Sequence, residues 1–479
     1  MNELQVSQEE LIRLVAEIET DPAVALSTLC AAVKKQAARE IAARLLENRA
    51  PVYSALENAD PKARKNAARL LGAFENPADA PALVSALNAE QTRFVMPSIL
   101  LALGSVGGAE AKQALTDYTA PEAADESEQK HVLEIHVALD KARAALERDV
   151  PLPQRRKLET PRDVLVVSPE GFSSILHQEL AALDFSGEEF SDGVLVQTDN
   201  LKKLFTVRCA EEVLLPAGTR LPFTPTAIAS AADGILTRPY RVELRHYEGD
   251  RAAMIRQITL AFGGGDNPSR YADELRVVCN GAVCDVFVRP CDVPDTRFAY
   301  RKQSLPASIH PATAACLVRY ALSFVSAGKL FALDPFCGSG TLLFELEKTA
   351  PGTVLFGLDI SDFALKAARV NALAAKSGAR FLRKDVLKFE PREPFDLIVT
   401  NMPFGNRVGT HETNEPLYRD FVRLLPRLLA PGGIAVLYTM EHRLLTACLK
   451  REPGLTVAAD MRTEAGGLNP RITVVKKKS

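Results

Sequence analysis

Disulfide and metal-site signatures are missing from this 479-residue chain. Its eight cysteines, Cys30, Cys209, Cys279, Cys284, Cys291, Cys316, Cys337 and Cys448, stand singly, and none forms a C-x-x-C pair. Cys279, Cys284 and Cys291 lie close together, but no histidine is near them and their spacing fits no zinc pattern. His131 and His136 are five apart rather than the four that share a helix face. A chain of this length can bury a core without staples, so the thiols are expected to be reduced, as in the cytoplasm, with no structural metal. The opening MNELQVSQEELIRLV lacks the basic and apolar regions of a signal peptide and carries a helix-capping Ser7-x-x-Glu10 instead. Apolar stretches such as Ile99–Leu103 fall short of the ~20 residues of a membrane span, so no membrane partner is expected. A charge excess is missing too. Lys+Arg 58 against Asp+Glu 60 leaves a net −2, which by itself gives no reason to suspect a nucleic-acid partner.

What is present falls into zones. Residues 1–150 are rich in Ala and Leu with helical periodicity, and they repeat. Ala55-Leu56 followed by Leu70-Leu71-Gly72 recurs as Ala86-Leu87 followed by Leu101-Ala102-Leu103-Gly104, and a third unit begins at Ala114-Leu115. Asp60-Pro61 fits the turn that opens a helix. Helix pairs that cannot each bury an apolar face stack into a solenoid, and this pattern resembles short HEAT-type repeats. Such an array can bind a partner protein or serve only as a cap or spacer. Residues 151–162, PLPQRRKLETPR, read as a linker. From 163 to 300, strands and helices alternate in short units, which predicts an α/β or α+β sandwich. VLVVSPEGF, GVLVQTD, Tyr240–Arg245 and Val277–Val288 read as strand segments, SSILHQELAAL and Ala252–Phe262 as helices. Gly263-Gly264-Gly265 reads as a helix-ending loop rather than a phosphate cradle.

Residues 301–479 turn into regular β-α alternation, with strands at Leu330–Leu333, Val354–Asp359, Leu397–Thr400 and Ile434–Thr439. Helical patterns at Phe363–Ala375 and Leu417–Leu429 lie between them, as in a doubly wound parallel sheet that binds ligands at its carboxyl edge. The first strand runs into Asp334-Pro335-Phe336-Cys337-Gly338-Ser339-Gly340-Thr341. No Lys follows Gly340, so this is not a phosphate-binding P-loop, and the glycines do not form G-x-G-x-x-G. An acidic strand end suits a ligand with a cationic amino acid portion better than a pyrophosphate. Asp359, before Ile360, ends the next strand, where a carboxylate can hold ribose hydroxyls. Asp385, before Val386, follows the third and can accept from an adenine amine.

The fourth strand leads into Asn401-Met402-Pro403-Phe404-Gly405. With the Gly turn, this segment resembles class I methyltransferases that use S-adenosylmethionine. Its Asn401–Phe404 stretch is similar to the N-P-P-[YF] motif of enzymes that methylate amino groups. The resemblance implies that Asp334, Pro335, Phe336, Gly338, Ser339, Gly340, Thr341, Asp359, Ile360, Asp385, Val386 and Asn401 contact the cofactor. It implies that the Asn401 oxygen and the Met402 carbonyl accept from an exocyclic amine and that Phe404 stacks on an extruded base, while Pro403 still biases Met402 toward an extended conformation. Met402 departs from the motif's first proline and is expected to loosen the loop. Arg301–Pro311 resembles the segment that covers the cofactor in the same family. Leu417-Tyr418 and Pro431-Gly432-Gly433 match its later landmarks.

In the middle zone, Ser168-Pro169-Glu170-Gly171-Phe172, Gly193-Val194-Leu195 and Glu211-Glu212-Val213-Leu214-Leu215 resemble the ferredoxin-like plus THUMP module of RNA guanine-N2-methyltransferases. That subgroup modifies tRNA or 23S rRNA. The expected chain is therefore multidomain: all-α HEAT-like repeats, an α+β ferredoxin-like/THUMP module, then an α/β Rossmann-like class I methyltransferase. The implied activity is N2-methylguanosine formation in RNA, with tRNA preferred and Arg301, Lys302 and Arg407 as phosphate contacts. An N6-adenine or protein-glutamine methyltransferase, and an inactive scaffold supported by Met402, are the alternatives. The near-zero charge is a cancellation: residues 1–150 carry 16 basic and 23 acidic residues, 151–300 carry 17 and 21, and 301–479 carry 25 and 16. The positive excess sits where the motifs place the chemistry.

Overall fold

The computed structural model of the chain describes residues 7–121, 126–146, 157–190, 192–268, 270–306, 308–326, 328, 330–403, 411–464 and 467–478. The chain folds into two compact units, one of residues 1–153 with 220–285, the other of 154–219 with 286–479. Residues 163–300, read above as one module, are thus shared between the two.

The first unit begins with helices α1 (Gln8–Glu17), α2 (Pro22–Ala32), α3 (Gln36–Leu45), α4 (Ala50–Leu56), α5 (Pro61–Phe74), α6 (Ala80–Ala89), α7 (Met96–Val106), α8 (Gly108–Asp117) and α9 (Glu126–Leu146). Proline opens α2, α4, α5, α6 and α7, where a missing N–H costs nothing. The Asp60 carboxylate caps α5 by accepting from the Lys62 amide at 2.9 Å. The repeated glycines explain the period: a Cβ on Gly72 would lie 2.9 Å from the Ala102 Cα, and one on Gly104 would lie 2.5 Å from the Ala142 Cα. They let α5 meet α7, and α7 meet α9, at backbone contact. A continuous Leu/Ala core from Leu11 to Ala142 results.

The next elements are β1 (Arg162–Val167), α10 (Ser173–Ala181), β2 (Gly187–Phe190), β3 (Gly193–Thr198), α11 (Leu201–Leu204), β4 (Glu212–Pro222), α12 (Pro225–Ala232), β5 (Tyr240–Arg245), α13 (Arg251–Ala261), β6 (Asp273–Asn280) and β7 (Val283–Pro290). In the first unit β5 pairs in parallel with β6, with α12 and α13 beside them. In the second, β2, β3, β1 and β4 pair in that order, antiparallel. The stretch Val277–Val288, read as one strand segment, is two, because Gly281 turns the chain at φ +62°. The three glycines after α13 do end it, with the Gly264 amide donating to the Thr259 carbonyl at 2.9 Å. Of the expected linker, the described part is anchored: the Leu158 amide donates to the Asp199 carbonyl at 2.7 Å, and Arg162 already belongs to β1.

The second unit continues with α14 (Pro311–Leu322), β8 (Phe331–Asp334), α15 (Thr341–Thr349), β9 (Val354–Asp359), α16 (Asp362–Ala375), β10 (Arg380–Arg383), β11 (Phe395–Asn401), α17 (His411–Leu428), β12 (Leu429–Thr439), α18 (His442–Leu449), β13 (Leu455–Arg462) and β14 (Arg471–Lys477). The sheet order is β10-β9-β8-β11-β12-β14-β13. Strands β10 through β12 are parallel, and β14 runs antiparallel between β12 and β13. After β8 the chain moves to one side and from β10 returns to the other, so the crevice at the carboxyl ends opens beside β8 and β11. The fourfold strand-helix alternation matches the expectation. The closing β13–β14 hairpin does not appear in it.

Candidate active site

At the end of β8 the Asp334 carboxylate is buried, accepting from the Thr400 hydroxyl at 2.6 Å and the Phe336 amide at 3.2 Å. Burial pushes it up to about 7, against those two donors, and the nearby Asp359 charge adds to the rise. The turn that follows needs its glycines for different reasons. Gly338, at φ +52°, donates its amide to Asp359 at 3.0 Å and lines the cavity. Gly340, at φ +85°, does not line it; a Cβ there would lie 2.7 Å from the Phe344 ring, so this glycine lets the turn close onto α15.

Asp359 ends β9, and its second oxygen accepts from the Ser361 amide at 2.8 Å. Each carboxylate oxygen has a further lone pair for a ligand hydroxyl. Asp385 caps the short turn after β10, accepting from the Leu387 amide at 3.0 Å. Neither Asp334 nor Asp359 has an ion-pair partner among the described residues.

These groups share a cavity of about 930 Å³. Of the expected contacts, Asp334, Pro335, Phe336, Gly338, Ser339, Thr341, Asp359, Ile360, Asp385, Val386, Asn401, Met402 and Pro403 line it. Phe404 and Arg407 lie outside the described residues. Arg301 and Lys302 do not line it; Lys302 is exposed, and Arg301 lies close enough to His310 to help burial lower that imidazole's pKa.

The acceptor end is assembled by long-range contacts. Asn401 is the last residue of β11. The Met402 amide donates to the Tyr438 carbonyl at 2.9 Å, extending the β11–β12 ladder one residue further. Its side chain is 1% exposed and packs with Leu333, Tyr418 and Phe421. A proline could not donate this bond, so Met402 ties the segment down where loosening was expected. The Tyr418 hydroxyl then donates to the Pro403 carbonyl at 2.8 Å and lies 2.6 Å from the Thr439 hydroxyl.

Several functional positions escaped sequence reasoning. Buried Asn371 on α16 bonds Gln303 through both its backbone groups, at 2.9 and 2.7 Å, and reaches the Ser339 carbonyl at 3.2 Å. Ser308 and Ser339 meet at 2.9 Å. Together they tie the segment before α14 to the glycine turn. Its start is held by the Tyr300 hydroxyl, which donates at 2.5 Å to buried Glu345, the partner of Arg208 at 2.6 and 2.8 Å. Asn414 on α17 is 2% exposed and lines the cavity, and its amide nitrogen has no hydrogen-bond partner among the described residues. Ser339 and the segment holding Gln303 and Ser308 were singled out by the motifs, but Asn371, Glu345 and Asn414 carry no local signal; a lone Asn in an Ala-rich helix reads as surface.

Residues 299–471 match the RMKL-like methyltransferase domain. Residues 49–129 match HEAT repeats. The tRNA (guanine(6)-N2)-methyltransferase of Thermus thermophilus is 35% identical over 222 residues, which are 45% of this chain and 64% of that one. The human U6 snRNA (guanine-N(2))-methyltransferase THUMPD2 is 33% identical over 132 residues, 26% of this chain and 25% of that one. The chain thus spans less than two thirds of the length of these curated relatives. The crystal structure of TrmN from Thermus thermophilus superposes with a TM-score of 0.55 at 28% identity, over 66% of this chain and 99% of that one. The sheet of β8–β14 has a class I methyltransferase-like fold, and the chain before it carries HEAT-type repeats. Among the described residues no helix is long and apolar enough to cross a membrane, and no group of His, Cys, Asp and Glu could hold a metal ion.

Proposed function

We propose that this chain is an S-adenosylmethionine-dependent RNA methyltransferase that forms N2-methylguanosine, with tRNA as the preferred substrate and 23S rRNA as the alternative. One observation carries the reading: Asp334, Asp359 and Asp385 share a cavity with Asn401, Met402 and Pro403, at adjoining strand ends. The names of the relatives, guanine-N2-methyltransferases of tRNA and U6 snRNA, support the choice of base and atom.

The carboxylates, buried at Asp334 and half-buried at Asp359 and Asp385, fit this cofactor. An uncompensated Asp334 calls for a cationic group, and Asp359 retains acceptor capacity for ribose hydroxyls. When bound, S-adenosylmethionine supplies a methyl group activated by its sulfonium. Asp385 would accept from the adenine amine. The Asn401 side chain and the Met402 carbonyl would hold the guanine amine by its two N–H bonds, leaving the nitrogen lone pair directed away from both acceptors. Catalysis of this kind is mainly positioning in a water-poor site. Leu417, Met440, Leu468 and Pro470 give the cavity an apolar wall that would favour such a site. The zone from 163 to 300 would act as the THUMP-like module that grips RNA by shape and backbone, with Arg301, Lys302 and Arg407 as phosphate contacts. A cytoplasmic enzyme belongs to the same reading.

The scaffold alternative rested on Met402, and the anchoring of that residue by Tyr438 removes its support. The acceptor class is decided by incubating the full chain with methyl-labelled S-adenosylmethionine and, separately, undermodified tRNA, 23S rRNA fragments and DNA. Label in tRNA is the expected result. Label in DNA alone contradicts the proposal, and no transfer by a protein that binds S-adenosylhomocysteine restores the scaffold.

A further inference from the structure

The helical zone is net acidic, but its charge is sorted between helices. Helices α2, α5 and α7 pack side by side and contain Lys62, Arg64, Lys65 and Arg69 with no Asp or Glu. The acids of the flanking helices lie on α1, as Glu9, Glu10 and Glu17, and on α8, as Glu110 and Asp117. Helix α9, next to α7, carries both signs.

Arg64 is committed within the fold, donating to Glu90 at 2.8 Å through two nitrogens. The other three cations are not. Lys62, Lys65 and Arg69 follow each other at i, i+3 and i+7, on one stripe of α5 opposite buried Ala63, Ala67, Leu70 and Leu71. None of the three has an ion-pair partner among the described residues. Arg69 is joined by exposed Lys34 from the end of α2. Burial pushes the Cys30 thiol up to about 11, and Arg69 and Lys34 both lie close enough to pull against it. On the α7 side the Lys65 ammonium stands 5.5 Å from the centroid of the Phe94 ring, which is 36% exposed.

Four cations with no ion-pair partner among the described residues, on or at the end of helices that carry no acid and bordered by an exposed aromatic ring, complement a polyanion carrying stackable bases. We propose that this face of the helical repeats, centred on Lys62, Lys65 and Arg69, is a second RNA contact that binds the phosphate backbone of the substrate. The inference rests on the RNA methyltransferase reading above. It gives the repeats a role in substrate affinity rather than in chemistry. Binding through phosphates is independent of sequence and strongly salt-dependent, because each neutralised phosphate releases condensed counterions.

The test uses the full chain and an undermodified tRNA transcript, with affinity measured across a salt series. In the triple variant K62Q/K65Q/R69Q, the slope of log K against log salt should become shallower by about two to three, and affinity at low salt should fall about tenfold or more. S-adenosylhomocysteine affinity, the unfolding midpoint and kcat at saturating tRNA should stay at wild-type values while KM rises. Restoring charge as K62R/K65R should return most of the slope. An unchanged slope in a triple variant, while the wild type binds and methylates tRNA, overturns this inference and leaves the functional reading standing. A wild type that neither binds nor methylates RNA fails the functional reading instead, and this inference with it. Loss of an acidic protein partner with RNA affinity intact would assign the face to protein binding and overturn the proposal.

Discussion

The two ends of the cavity are built in different ways. At the cofactor end each carboxylate accepts from a backbone amide two residues on, Asp334 from Phe336, Asp359 from Ser361 and Asp385 from Leu387, with Thr400 and Gly338 adding bonds to Asp334 and Asp359 from other elements. At the acceptor end every support comes from far away. Tyr438 holds Met402, and Tyr418 holds Pro403. The cofactor end is therefore a repeated strand-end device, and the acceptor end is one bend clamped by two other elements. Local construction predicts that cofactor affinity survives damage at the acceptor end, and the following changes put that separation at risk.

The largest effect belongs to Asn401→Ala. It should lower kcat for tRNA methylation by about 100-fold or more, the scale expected when a positioned group is lost. S-adenosylhomocysteine affinity, read by calorimetry, should remain within about threefold, and a parallel collapse of affinity would break the separation.

The next effect is a pH dependence at the other end. The ordinary Asp carboxyl ionises near 3.8, and burial raises Asp334 to about 7. A cationic ligand group binds the ionised form, so affinity should rise about tenfold per pH unit from 5 towards 7 and level off above. In the ligand-free protein the sign is reversed. The unfolded chain ionises first, so stability should fall as pH rises from about 4 to 7 in a denaturation series. Asp334→Asn should flatten both profiles; a flat wild-type profile would show that Asp334 does not face the ligand's charge.

Tyr418→Phe removes the hydroxyl that bonds Pro403 and meets Thr439. It should cost about 1–3 kcal/mol of stability and lower kcat about tenfold with cofactor affinity kept, by the magnitudes for a lost buried hydrogen bond and a misplaced group. The smallest effect on kcat is Met402→Pro, which restores the family motif but loses the amide bond to Tyr438 and the buried Met402 side chain. A change in kcat within about threefold is expected, with a stability loss of about 2–5 kcal/mol. A large gain in kcat would mean that Met402 weakens the bend after all.

This difference in construction also governs what could be read from the sequence. Asp334, Asp359 and Asp385 were legible because strand, acid and turn are contiguous. The repeat period was legible because Gly72 and Gly104 recur at each close helix contact. The clamp at Pro403 was not legible, because nothing near Asn401 announces Tyr418 or Tyr438. Met402 was misjudged for the same reason: its cost as a lost proline is local, while its gain as a donor lies on β12. Asn371 and Asn414 stayed hidden because a polar residue in a helix carries no mark of what it faces. Charge was misleading at the scale of the whole chain and of the helical repeats. The whole chain sums to near zero and the repeats to a negative value, yet α5 presents an unpaired cationic stripe.

The central claim is that the clamped bend presents the exocyclic amine of guanine to the cofactor end. It is tested most directly by digesting tRNA methylated by the wild-type chain to nucleosides and identifying the labelled species by mass spectrometry. N2-methylguanosine, absent when Asn401→Ala replaces the wild type, is the predicted result. Methyladenosine, a ring-nitrogen methylguanosine, or undiminished label with Asn401→Ala would contradict it.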